Sequence, residues 1–213
     1  MLFYLKKFLR LFPMVLVFGA FAFAYVNWET SAFFDFVSRN PEHSLIGYSV
    51  YAAVSVLIVS LPLLPLFPFA LTVFGFWDTY VITVISINIG GASAYYYAKK
   101  LGAPSVKVML GVDNYKKMKK VLSKDKSAGI LLLRVFANNY FDIVSFVSGL
   151  SNISFPRYLA YSLIGSSFWS FVNLLLIKYA SSYGKEATLG MIGIIYVVIS
   201  IPAVIVIRTQ YKK

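Results

Sequence analysis

"SLIGYSVYAAVSVLIVSLPLLPLFPFALTVFGFW" fills residues 44–77, a run of 34 residues without one charged side chain. At a rise of 1.5 Å per residue, a single straight helix of this length would reach about 51 Å. That far exceeds the roughly 30 Å hydrocarbon core of a bilayer. Two complete spans joined by a turn would need slightly more chain than is present. Pro62, Pro65 and Pro68 stand three apart in the middle. Each removes a backbone donor and crowds the turn before it, which rules against an unbroken helix. The run therefore predicts a helix–break–helix hairpin, with roughly 15 residues in each arm.

The rest of the chain has the same character. Hydrophobic residues make up 59% of the 213, charged residues 13%, and the mean hydropathy is +0.75. Soluble chains carry about a quarter charged residues. Further charge-free runs cover 11–28, 79–98, 158–177 and 187–207, each close to the length that crosses a bilayer. The fold class read from this is an all-α polytopic membrane protein forming one integral membrane domain, 1–213. Its parts are an N-terminal interfacial segment, anchor span and loop (1–43), a first hairpin plus span (44–98) and a basic loop (99–126). A second hairpin plus span (127–180) and a C-terminal span (187–207) complete it. The basic start, apolar run and small residues near Ala20, Ala22 and Ala24 resemble a secretory signal, but further spans follow and a retained anchor is expected.

There is no cysteine and one histidine. Thiol catalysis and thiolate metal sites are excluded, and His43, beside Glu42, is expected at the surface. With no metal-ligand cluster, no Ser–His arrangement and no glycine-rich phosphate loop, the chain reads as a non-enzyme without metal or cofactor.

The formal charge of +12 does not point to nucleic acid, because its placement follows the spans. Lys6, Lys7 and Arg10 lie at one end, Arg208, Lys212 and Lys213 at the other, and nine lysines between Lys99 and Lys126. Basic segments beside spans mark cytoplasmic loops held against anionic inner-leaflet lipid. If 11–28 crosses outward, the acidic segment 29–43 is external. The lysines of 99–126 then reach the cytoplasm only if 44–77 returns to the side it entered. The same parity makes 127–156 return to the cytoplasmic side, and it leaves both termini cytoplasmic, with a prokaryotic plasma membrane as the expected setting. The partners expected are the bilayer itself and anionic lipids, with a homo-oligomer left open.

Hairpin-plus-span thus occurs twice, entering from opposite faces. Ile89-Gly90-Gly91-Ala92-Ser93 echoes Ile164-Gly165-Ser166-Ser167, with Gly75 and Gly149 at similar distances before them. Inverted repeats with broken helices are a transporter pattern, and small residues let helices approach closely. Within 103–126, Val108, Tyr115, Met118 and Leu122 recur near helical spacing among lysines, which predicts a basic amphipathic helix on the inner leaflet.

Arg134, Asn138, Asn139 and Asp142 sit inside the apolar stretch "LLLRVFANNYFDIVSF" at 131–146. The second break is expected at Ala137-Asn138-Asn139, where asparagine side chains meet freed backbone groups. Folding about that point brings Arg134 and Asp142 face to face. Ionisable side chains at membrane depth must pair or line a wet cavity. Two readings follow. In one, the pair only pins the hairpin. In the other, Arg134 leaves Asp142 to meet an anion such as phosphate, which suits its fork of donors. Asp78, after the first hairpin, is a further candidate.

The stretch "LLLRVFANNYFDIVSFVSGLSNISFPRYLAYSLIGSSFW" resembles the second half of the DedA/VTT (SNARE-associated Golgi protein) membrane family, with Arg134, Gly149, Phe155, Gly165 and Trp169 at matching places. The proline-rich break, Phe74-Gly75 and "YYYAKKLG" resemble its first half. Ala137 stands where that family has proline, Tyr140 where DedA-type members have a second arginine, and Gly90-Gly91 where a Gly-Asp is usual, so the likeness is to the looser VTT branch. The resemblance implies lipid handling: flipping polyprenyl phosphate or scrambling phospholipid through a site framed by two re-entrant hairpins. The alternatives are an ion- or proton-coupled small-solute transporter and a non-transporting scaffold for membrane biogenesis.

Overall fold

The computed structural model describes residues 19–20, 23, 25–27, 32–58, 61–110, 112, 115–116, 134, 141–151 and 153–211. Among them every regular element is helical. The principal helices are α1 (Ala32–Arg39), α2 (Pro41–Leu57), α3 (Phe67–Leu110), α4 (Phe141–Gly149), α5 (Phe155–Ser181) and α6 (Lys185–Tyr211). A short 3₁₀ turn, Leu64–Leu66, precedes α3.

The proline run breaks the chain, but at its first member. Helix α2 starts with Pro41 in its first turn, where a missing donor costs nothing, and with Glu42 near the positive end of the helix dipole. It ends at Ile58, whose backbone is extended (φ −97°, ψ 94°). Pro62 follows in the irregular link, and its carbonyl accepts the hydroxyl of Tyr51 at 2.8 Å. Pro65 and Pro68 lie instead in the first turns of the helices that come next. The two arms are therefore unequal, contrary to the expected near-equal halves. The outgoing arm has 17 residues, while the return arm, from the 3₁₀ turn onward, stops at Gly75.

Gly75 is the second reversal. Its φ of 75° and ψ of −177° interrupt α3 in a region almost closed to residues with a Cβ. The hydroxyl of Thr79 ties the corner, lying 2.9 Å from the carbonyl of Ala70 and 2.6 Å from that of Gly75. No neighbour lies within 4 Å of where a Cβ would project, so the backbone alone resists substitution. Gly75→Ala is expected to destabilise the protein by about 1–3 kcal/mol, read as a lowered melting temperature in detergent. An unchanged melting temperature would contradict this corner.

Side-chain pairs fix the directions of the helices. Tyr48 meets Thr83 at 2.6 Å, and Gly90 lies against the backbone of Ala53. Both numbers rise together, so α2 runs parallel to the part of α3 beyond Gly75. The pairs Tyr95–Tyr158, Asn88–Ser166 and Phe76–Phe171 run oppositely, so α5 is antiparallel to α3. Helix α4 starts with Phe141 near Gly91 and ends with Gly149 against Tyr95. Leu63, at the link of the first hairpin, and Phe141 both pack on Ala52, Val56 and Ile87. The two short arms thus leave one central point toward opposite ends of the α3–α5 pair.

The glycines that echo each other in sequence occupy matching positions. Gly90 abuts Ala53 of the first hairpin, and Gly165 abuts Arg134, preceding α4. Gly75 and Gly149 each close a short arm. Helix α6, reached through Gly184 at φ 106°, packs Ile192 and Ile195 on Leu174, Ile177, Leu64 and Phe67. Past Gly102, another positive-φ break, the basic segment departs from the expected single apolar face. Val108 is 86% exposed, whereas Tyr115 and Val106 are buried in the protein core. Met118 and Leu122 lie outside the described residues.

Candidate functional site

Arg134 is the largest fully buried side chain among the described residues, 1% exposed. One guanidinium nitrogen donates to the carbonyl of Phe141 at 2.9 Å. The other donates to the hydroxyl of Ser145 at 2.9 Å and to that of Tyr158 at 3.0 Å. Tyr158 in turn donates to Ser145 at 3.0 Å, and Ser145 donates to Phe141 at 2.8 Å. The guanidinium plane lies over the ring of Phe141, 3.6 Å from its centroid. At that range the ring quadrupole attracts the cation.

The partners are held by two helices. Phe141 and Ser145 are one turn apart on α4, and Tyr158 is on the first turn of α5. Tyr158 is stacked on Tyr95 of α3 with centroids 4.9 Å apart, and the Tyr95 hydroxyl donates to the carbonyl of Ile153 at 2.6 Å. Gly91 forms the wall: a Cβ there would come within 2.7 Å of the Tyr158 hydroxyl. Gly165 supplies the opposite wall, where a Cβ would stand 2.6 Å from that of Arg134. Two glycines thus bring three helices close enough to enclose one cation.

Arg134 and Asp142 lie near enough to attract each other through space, but no hydrogen bond between them is described. Every hydrogen bond described for Arg134 goes to a neutral oxygen. The carboxylate of Asp142 accepts the backbone N–H of Ile143 at 2.8 Å, in the first turn of α4, where the helix dipole favours a negative charge. Helix α4 starts at Phe141, so Asp142 is used to begin it, while Arg134 reaches past to the next turn. Asn138 and Asn139 lie outside the described residues. Pro62 is in the first hairpin's link, and Asp78 is exposed one turn after the Gly75 corner, away from Arg134. His43 is exposed, as expected.

Sequence reasoning missed Ser145 and Tyr158 as partners of Arg134. Ser145 carried a usable signal, since it lies one helical turn beyond Phe141. Tyr158 carried none, because its role depends on how α5 crosses α4. Nε of Arg134, Oδ1 of Asn88, Oγ of Ser148, Oγ of Ser162 and Oδ1 of Asn173 are buried without a hydrogen-bond partner. Each would cost about 1–3 kcal/mol if it stayed dry.

A buried arginine and helices long and apolar enough to cross a bilayer, found over Leu64–Val108 and Phe155–Ser181, point to a helical membrane protein. The family model described as the VTT domain matches residues 61–179, more than half of the chain. The chain belongs to the VTT-domain family, that of DedA and the SNARE-associated Golgi proteins. No curated protein and no solved structure matches it significantly.

Proposed function

We propose that this protein moves lipids across the bilayer, flipping polyprenyl phosphate or scrambling phospholipid, with Arg134 receiving the anionic headgroup. One observation carries the reading: a fully buried guanidinium whose described hydrogen bonds all go to neutral groups. A cation at membrane depth without a carboxylate attached retains its charge for an anion that arrives, and its fork of donors fits a phosphate. Nothing in this reading requires a chemical step, so the protein acts as a transporter rather than an enzyme.

The proposed placement in the bilayer is argued from α3. Trp77 and Tyr97, both exposed, are twenty residues apart, or about 30 Å of helix, the thickness of the hydrocarbon core. Aromatic side chains collect at both interfaces. Trp77, Tyr179, Tyr183 and Lys178 would mark one interface; Tyr96, Tyr97, Lys99 and Lys100 would mark the other. Midway lies Ile87, where the two hairpins meet. The return arm, from Leu64 to Gly75, is too short to cross, which supports a re-entrant first hairpin, and the same course is proposed for the second. By the positive-inside rule the Lys99–Lys100 end is cytoplasmic, in keeping with a prokaryotic plasma membrane. Gly91, beside the Arg134 site, is then about 9 Å inside the cytoplasmic belt, so the headgroup is received from the inner leaflet.

The test is reconstitution of the wild-type chain into vesicles carrying a headgroup-labelled phospholipid, with loss of the outer-leaflet label followed in time. Protein-containing vesicles are expected to equilibrate label between leaflets, and protein-free vesicles to retain it. The phosphate-lipid reading fails if protein-containing vesicles retain label as protein-free ones do, for both an anionic phospholipid and a polyprenyl phosphate.

A further inference from the structure

Helix α5 carries Tyr158, Ser162, Ser166, Ser170 and Asn173. The spacings of four, four, four and three put all five on one face, and all five are buried. The row begins at the Tyr158 hydroxyl bound to Arg134 and climbs about 22 Å along the helix. Serines on a helix face are often only a close-packing device.

The unpartnered atoms argue against a dry seam here. Ser162 Oγ and Asn173 Oδ1 have no hydrogen-bond partner. Asn88 joins the row by donating to Ser166 at 2.7 Å, yet its own Oδ1 is unpartnered. Nε of Arg134 is unpartnered at the foot of the row. A helical hydroxyl usually turns back to the carbonyl four residues earlier, as Thr83 does to Thr79 and Ser93 to Ile89. Ser162 does not. Buried polar atoms left in this way, at intervals along one line, each carry a desolvation cost that water reaching the row would relieve.

We infer that the polar row of α5, with Asn88, is a hydrated conduit along which a lipid headgroup travels from Arg134 toward the opposite leaflet. The inference rests on the lipid-moving reading of Arg134. Its hydroxyls and amides can donate to phosphate oxygens without holding them as a second cation would. Leu163, Ile164 and Phe168 are exposed on the other side of the same helix, where acyl chains run.

The chain lacks cysteine, which allows a direct test in the full-length protein in vesicles. Ser162→Cys, Ser166→Cys, Ser170→Cys and Asn173→Cys are compared with Leu163→Cys and Phe168→Cys, using a charged, water-soluble methanethiosulfonate. Row positions are expected to react about tenfold faster, because the reactive thiolate forms where water reaches it. The resulting charged adducts on the row are expected to slow lipid movement relative to the same variants before modification. Equal, slow reaction at row and lipid-facing positions would mean a dry seam and overturn the inference. Fast reaction with lipid movement unimpaired would also overturn it, since the headgroup would then pass elsewhere. If adducts at Ser162→Cys stop lipid movement while Arg134→Ala does not, the conduit stands and the Arg134 assignment falls.

Discussion

Arg134→Ala is expected to slow lipid movement in reconstituted vesicles by about 10- to 150-fold. The range comes from losing a charge-assisted hydrogen bond of about 1.5–3 kcal/mol at 1.4 kcal/mol per tenfold. The substitution removes the only described group in the site with a fixed positive charge, while Gly165 continues to face a Cβ at position 134. It also leaves Ser145 and Tyr158 bonded to each other, at 3.0 Å, so the hydroxyl pair survives the loss. Arg134→Lys separates charge from geometry. A single ammonium cannot reach the Phe141 carbonyl and both hydroxyls as the guanidinium does, so lysine should preserve the fold and restore part of the rate. If alanine proves too unstable to reconstitute, Arg134→Gln decides, since it keeps amide donors without the charge: a wild-type rate with a phosphate lipid would remove Arg134 from the headgroup site. Asp142→Asn serves as the contrasting variant. Its carboxylate caps α4 rather than binding Arg134, so a modest effect is expected, whereas complete loss with pH-dependent uptake of a small solute would favour the coupled transporter instead.

How much of this was legible in the sequence depended on the range of the interaction. Pro62, Pro65 and Pro68 announced a break because proline acts on its own backbone, and a break is there. Which proline would lie in the link, and which would start the following helix, depended on Tyr51 binding the Pro62 carbonyl and on Leu63 packing against Ala52, Val56 and Ile87. That the chain turns back within 44–77 was expected from charge parity, a property of the whole chain that no single residue carries; the sidedness that parity assigns belongs to the proposed placement. The second reversal at Gly75 was not, since a glycine among phenylalanines reads equally as a packing residue or as a corner. Arg134 stood out because a cation in an apolar run must find partners. Asp142 was the partner suggested by symmetry about the asparagines, and the turn-initiating role of its carboxylate outweighed that suggestion. The row on α5 was present in the spacing of its serines. Its unpartnered atoms become visible only when α3 and α5 are placed together.

The largest structural effect is expected where two helices touch backbone to backbone. A Cβ at Gly149 would overlap the carbonyl oxygen of Tyr95, and one at Gly90 would overlap that of Ala53. A flexible side chain could swing aside, but a carbonyl within a helix cannot move without the helix moving too. Gly149→Ala and Gly90→Ala should each cost about 1–3 kcal/mol as overpacking. The double variant should lose roughly the sum, because the two contacts join different helix pairs, α2 to α3 and α4 to α3, and share no residue. The same exchange on α6 provides the control. Gly190 and Gly193 have nothing within 4 Å of a added Cβ, so alanine there should be neutral or stabilise by up to about 1 kcal/mol through helix propensity. Melting of the detergent-solubilised protein, followed by loss of the monodisperse peak, reads all four. Gly90→Ala and Gly149→Ala should fall together, because each glycine lets a neighbouring helix rest on α3. Should Gly149→Ala melt as Gly190→Ala does, α4 is not seated on Tyr95, and the placement of Phe141 and Ser145 on Arg134 is in question with it.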